Sequence, residues 1–171
     1  PDEVINTGLP RWDVLKDKSQ GKREILIMPT WRNWLDSVPD KDFEESDYFR
    51  HYMGLLNSER LNQILEKYDL EVNFYLHAKF QEYADTFKSI SKRIHLISFG
   101  EVAVNEMLMR CRMLITDYSS VCWDILYQDK PSLFYQFDIE KYNEAHGSYI
   151  DMETELFGDR AATQEQLLDY L

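Results

Sequence analysis

The sequence predicts an α/β fold, a parallel sheet with helices on both faces. Short apolar runs recur along the chain, each about as long as a buried strand, and stretches with helical spacing alternate with them. Polar residues sit at or just past the ends of those runs: Thr30, His77, Ser98 and Asp117. Sheets of this kind bind ligands beyond the C-terminal ends of their strands. Four polar residues converging on one edge therefore mark where function is to be sought.

Ile25-Leu26-Ile27-Met28 reads as the first buried strand, closed by Pro29-Thr30. A polar, acidic segment follows, and residues 48–68 then read as one helix with Leu55, Leu56, Leu61, Ile64 and Leu65 on its apolar face. Residues 72–76 form the second strand, ending at His77, and residues 79–87 a short helix. Ile94-His95-Leu96-Ile97 is the third strand, with a helix over residues 102–109. Met113-Leu114-Ile115 is the fourth, followed by a helix over residues 119–127 that Lys130-Pro131 terminates. Ser132-Leu133-Phe134-Tyr135 is the fifth strand, and Thr163 caps a last helix over residues 164–171.

The 171 residues are enough for one domain spanning 1–171, and 44% hydrophobic residues exclude a disordered chain. The chain opens on Pro1 rather than methionine, so it reads as a piece of a longer protein. A net charge of −12 without a basic stripe argues against a nucleic-acid partner. Cys111 and Cys122 lack zinc or redox spacing and read as buried thiols in a reducing compartment. No acidic metal-binding cluster is evident, and no cofactor is implied.

The segment from Leu114 to Asp124 carries the chemistry. A strand runs into an acidic, hydroxylated turn (Asp117-Tyr118-Ser119-Ser120) and then a helix. Ser119 and Ser120 have two readings, a plain helix cap or a clamp for a diphosphate at the positive end of the helix. Asp117 either caps its own turn or meets a ligand. Asp124, one turn beyond Ser120, is either solvated or accepts hydrogen bonds from ligand hydroxyls. His77, at the ligand edge, can donate to a phosphoryl oxygen when protonated. Arg32, in Thr30-Trp31-Arg32-Asn33, suits phosphate through its two-pronged fork, and Lys79 can add charge. Trp31 and Trp34 read as packing residues, His51 and His95 as structural.

Leu114-Ile115-Thr116-Asp117-Tyr118-Ser119-Ser120-Val121, then Asp124, Lys130-Pro131 and Phe137-Asp138-Ile139-Glu140-Lys141-Tyr142, resemble the CDP-glycerol glycerophosphotransferase family of teichoic acid primases and polymerases. Gly8-Leu9-Pro10-Arg11-Trp12-Asp13, Met28-Pro29-Thr30-Trp31-Arg32-Asn33 and Gly147-Ser148-Tyr149-Ile150-Asp151 extend the resemblance over nearly the whole chain. It implies a GT-B-type fold of two Rossmann-like domains, this chain being the C-terminal, nucleotide-binding half. The implied reaction moves a polyol phosphate from a CDP-polyol, glycerol foremost, to an acceptor hydroxyl on a lipid-linked teichoic acid or capsular polymer, releasing CMP. It implies further that Ser119 and Ser120 hold the diphosphate, that His77 and Arg32 stabilise the transferred phosphate, and that Asp124 meets glycerol hydroxyls. The cytidine is placed near Ile97 and Ser98. The general base is assigned to the missing N-terminal domain, and the parent protein to the cytoplasmic face of the bacterial membrane as a peripheral protein. The chain departs from the family pattern at Ala78, where a proline is usual, and at His146, where an arginine is common. Two alternatives stand beside this reading: a GT-B glycosyltransferase domain using another nucleotide sugar in capsule synthesis, and a non-catalytic scaffold.

Overall fold

The computed structural model describes Ile5 and residues 7–171. Among these residues six strands form one sheet: β1 (Glu24–Ile27), β2 (Glu71–Tyr75), β3 (Ile94–Ile97), β4 (Met113–Thr116), β5 (Ser132–Tyr135) and β6 (Asp159–Ala161). Their order is β3-β2-β1-β4-β5-β6, and every neighbouring pair is parallel. The chain builds outward from β1 to β3 and then returns to place β4 on the other side of β1. That reversal opens a crevice between the loops after β1 and β4, where doubly wound sheets bind their ligands.

Alternation along the strands feeds two cores. Ile25, Ile27, Val72, Phe74, Ile115, Leu133 and Tyr135 enter one, while Leu26, Tyr75, Leu114 and Phe134 enter the other. Helices α1 (Asp40–Glu44), α2 (Asp47–Leu56), α3 (Glu59–Tyr68) and α7 (Gln164–Asp169) cover the first through Phe43, Tyr52, Leu55, Leu61, Leu65 and Leu167. On the second face, α4 (Val104–Arg110) and α5 (Cys122–Tyr127) contribute Met107, Leu108, Cys122 and Ile125. A small third cluster joins Tyr118 to Ile139 and Tyr142 of α6 (Ile139–Ala145), with Trp34 against it. No helix among the described residues is long and apolar enough to cross a membrane.

Several elements differ from the sequence expectation for local reasons. The helix expected over residues 48–68 is two helices. Ser58 Oγ accepts from Leu61 N–H to start α3, and the Asn57 side chain ties the break to Met53, Lys88 and Ile90. Ala78–Thr86 is 3-10 rather than α-helical, and its spacing aligns buried Phe80 and Tyr83 three residues apart. The helix expected from residue 119 begins at Cys122, so both serines precede it. Helix α6 and strand β6 are additional. Gly158, just before β6, permits a backbone approach that no other residue allows, since a Cβ there would meet Ser132 O at 2.0 Å.

The cap expected at Thr163 is present as a reciprocal box with Gln166. Both cysteines are buried, and burial pushes each thiol up to about 12. Lys130 does more than end a unit. Its buried ammonium donates to the carbonyls of Leu108 and Met109, capping the last turn of α4, and pairs with Asp17 at 3.1 Å.

Candidate functional site

Asp117 follows β4 directly and is fully buried. Its Oδ1 accepts from the Thr30 and Tyr118 amides at 2.8 and 2.6 Å, and its Oδ2 from Tyr52 Oη at 3.3 Å. It thus sews the loop after β1 to the loop after β4. The expectation of a ligand contact gives way here, because these partners and Arg32 enclose both carboxylate oxygens.

Arg32 is also fully buried. Its Nη2 lies 2.9 Å from Asp117, its Nε and Nη2 grip Asp138 at 2.7 and 3.0 Å, and its Nη1 donates to Thr30 O at 2.7 Å. The rings of Tyr118, Tyr48 and Tyr142 surround the guanidinium at 4.9, 5.2 and 5.4 Å. Burial works against its charge, but Asp117 and then Asp138 outweigh burial and keep it firmly protonated. The expectation that Arg32 faces a phosphate is therefore corrected. Its fork is spent on two carboxylates, and it reaches no surface.

His77 ends the segment after β2 and is half-buried. Its Nδ1 accepts from Lys79 N–H at 3.2 Å, which assigns the proton of the neutral ring to Nε2. Burial, and then the Lys79 ammonium, lower its pKa, with Asp117 pulling weakly the other way. Near neutral pH His77 is thus an uncharged donor rather than the protonated one expected. The Trp31 indole stacks on it at 6.2 Å and meets His146 edge-on at 6.1 Å.

Ser119 and Ser120 form the turn ahead of α5. Ser119 Oγ accepts a long 3.5 Å bond from Val121 N–H, and the carbonyls of both serines close the turn. Their own amide N–H groups have no partner among the described residues. Ser120 lines two cavities. One, of about 190 Å³, also has Ser119, Trp123, Ser148 and Tyr149 in its wall. The other, of about 360 Å³, is bounded by Arg11, Val104, Asn105 and Asp124. Asp124 is neither solvated nor open on both oxygens. Its Oδ1 takes Arg11 Nε at 2.6 Å and Trp12 Nε1 at 2.8 Å, leaving Oδ2 without a partner among the described residues. Thr30 Oγ1 is buried and unpartnered. Ser98 stands apart, lining a separate cavity of about 370 Å³ with Leu76, Phe87 and Ile97. Its amide donates to Glu101 at 3.1 Å.

A family model described as CDP-Glycerol:Poly(glycerophosphate) glycerophosphotransferase matches residues 1–171. The chain belongs to that family. The minor teichoic acid biosynthesis protein GgaB of Bacillus subtilis (strain 168) is 32% identical over 98% of this chain and 19% of its own length. A teichoic acid glycerol-phosphate transferase of Staphylococcus aureus (strain NCTC 8325 / PS 47) is 27% identical over 99% of this chain and 45% of its own. The chain thus spans less than half the length of these glycerophosphotransferase-family relatives. Its fold matches the wall teichoic acid polymerase TagF, in a histidine-to-asparagine variant soaked with CDPG, with a TM-score of 0.66. There the identity is 22%, over 99% of this chain and 42% of that one. The sheet accordingly has the GT-B-type fold expected from the sequence.

Three residues that the structure brings to this edge were not among the sequence-predicted site residues. Asp138 lies within a motif but is 106 residues from the Arg32 it holds. The sequence marks Trp31 as a packing residue, but it touches both His77 and His146. His146 stands out in the sequence only as a departure from the family pattern. The signal available for Asp138 was its place ahead of Ile139 and Tyr142, whose spacing fits a helix start.

Proposed function

We propose that this chain is the donor-binding half of a polyol-phosphate transferase. The donor is a CDP-polyol, CDP-glycerol foremost. An acceptor hydroxyl on a teichoic acid or capsular polymer attacks its β-phosphorus, the bond from that phosphorus to the bridging oxygen breaks, and CMP leaves with the electron pair. The hydroxyl proton goes to a base on another part of the longer protein, which works at the cytoplasmic face of the membrane.

In this reading the Ser119 and Ser120 amides and hydroxyls hold the diphosphate, stabilising charge that grows on the leaving CMP. The His77 Nε2–H donates to an oxygen of the transferred phosphoryl group. Asp124 Oδ2 accepts a hydroxyl of the donor, and the cytidine lies toward Ile97 and Ser98. Arg32 acts as a positioning residue, holding the loops that carry Thr30 and Ser119 through Asp117 and Asp138.

The observation that carries the proposal is the Ser119–Ser120 turn. It offers two unpartnered amides at the switch point, and Ser120 stands between two cavities. Calorimetric titration of the chain with CDP-glycerol, CDP-ribitol, CMP and a UDP-sugar tests it. Weak binding of the cytidine compounds without turnover is expected. No heat from any cytidine nucleotide at millimolar concentration would contradict it.

A further inference from the structure

The Arg32 guanidinium is neutralised inside the fold, which leaves the surface beside it to other cations. Two ammonium groups and an imidazole gather on two tryptophans. Lys79 Nζ lies 4.4 Å from the Trp31 ring, Lys141 Nζ lies 4.8 Å from the Trp34 ring, and His146 contacts both indoles at 6.1 and 6.2 Å. Asp36 balances Lys79 at 3.0 Å. Lys141 and both ring nitrogens of His146 have no hydrogen-bond or carboxylate partner among the described residues. Tyr142 fixes the His146 ring by stacking at 4.8 Å, and Trp31 also stacks on His77. In a chain of net charge −12, this is a local concentration of unspent donors at the edge where the strands end.

We propose that His146 and Lys141, mounted on Trp31 and Trp34, form a second phosphate-contacting face beside His77. His146 donates an imidazole N–H to a phosphoryl oxygen, and Lys141 supplies charge. The Trp34 face attracts the Lys141 ammonium, and the His146 ring is held by stacking on Tyr142 and by the edge-on Trp31. The ligand is a phosphate ester. It is either the donor's diphosphate or a phosphodiester of the acceptor polymer, and the inference rests on the polyol-phosphate reading above.

Calorimetry with CDP-glycerol, with a short poly(glycerol phosphate) oligomer and with cytidine tests it in wild type, His146→Gln, His146→Arg and Lys141→Gln. Both positions are exposed, so the variants fold. His146→Gln is expected to weaken a phosphate-bearing probe by about tenfold, the scale of a charge-assisted hydrogen bond, and to leave cytidine unchanged. His146→Arg is expected to restore most of that loss, which a purely structural ring would not allow. A loss with CDP-glycerol assigns the face to the donor, and a loss confined to the oligomer assigns it to the acceptor. Wild-type binding of both probes in His146→Gln and Lys141→Gln would overturn the inference while leaving the donor reading intact. Binding of the oligomer but not CDP-glycerol by wild type would remove the donor reading alone. Binding of neither by folded wild type would remove both.

Discussion

Arg32 and His77 follow adjacent strands of one sheet, and their environments are opposite. Arg32 has the better chemistry for phosphate, yet it is sealed among three tyrosines and bound to Asp117 and Asp138. His77 is the weaker cation, kept neutral by burial and Lys79, yet its Nε2–H is left for a ligand. The difference teaches that this edge separates rigidity from recognition. The permanent charge is used once, inside, to lock three loops together. The groups left toward the crevice include the Ser119 and Ser120 amides and the neutral His77 Nε2–H, which are the ones proposed above to meet a phosphate ester. Arg32 and Trp31 make the same point within two residues, one entering the cage and the other carrying two imidazoles.

Arg32→Met leaves two carboxylates buried without a cation and is expected to cost about 3–5 kcal/mol of stability, read by urea unfolding. A loss of only a few tenths would mean that the triad is not a strut. His77→Gln is expected to leave urea unfolding within about 0.5 kcal/mol of wild type. In a full-length transferase of the proposed kind it should lower turnover by about two orders of magnitude or more. Substantial unfolding of His77→Gln with turnover intact would reverse the assignment of roles.

A smaller effect concerns the charge on His77. Its folded pKa lies below the ordinary histidine value of about 6.5, because burial and Lys79 disfavour the imidazolium. Any contribution to stability is then present above that ordinary value and is lost as pH falls through the lowered one. Lys79→Gln removes one of the two causes. An NMR titration of the ring should show its midpoint move upward toward the ordinary value; a downward move would contradict the arrangement.

Much of this was legible in the sequence, because strands and turns are local. The core strands β1, β2, β4 and β5 follow their apolar runs, and the Asp117–Ser120 turn announces itself by composition. The burial of Arg32 was not legible, since Asp138, 106 residues away, decides it. The α2–α3 break escaped notice because both helices share one apolar face, and only the Asn57 and Ser58 side chains divide them. Helix α6 is seven residues long with Ile139 and Tyr142 as its buried contacts, too short a pattern to stand out. His146, at its end, was hidden with it. The role of Asp124 changed because Arg11 and Trp12 come from the far end of the chain.

On the function proposed above, a phosphate ester docks at the β1–β4 crevice over a buried arginine strut. Amide and imidazole chemical shifts followed during a CDP-glycerol titration test it most directly. The account predicts the largest changes at the Ser119 and Ser120 amides and the His77 ring. A larger cavity, of about 630 Å³, opens on the other side of the molecule between Asn57, Asn62, Ile90 and Arg93. Changes confined to those residues, with Ser119, Ser120 and His77 unmoved, would contradict it.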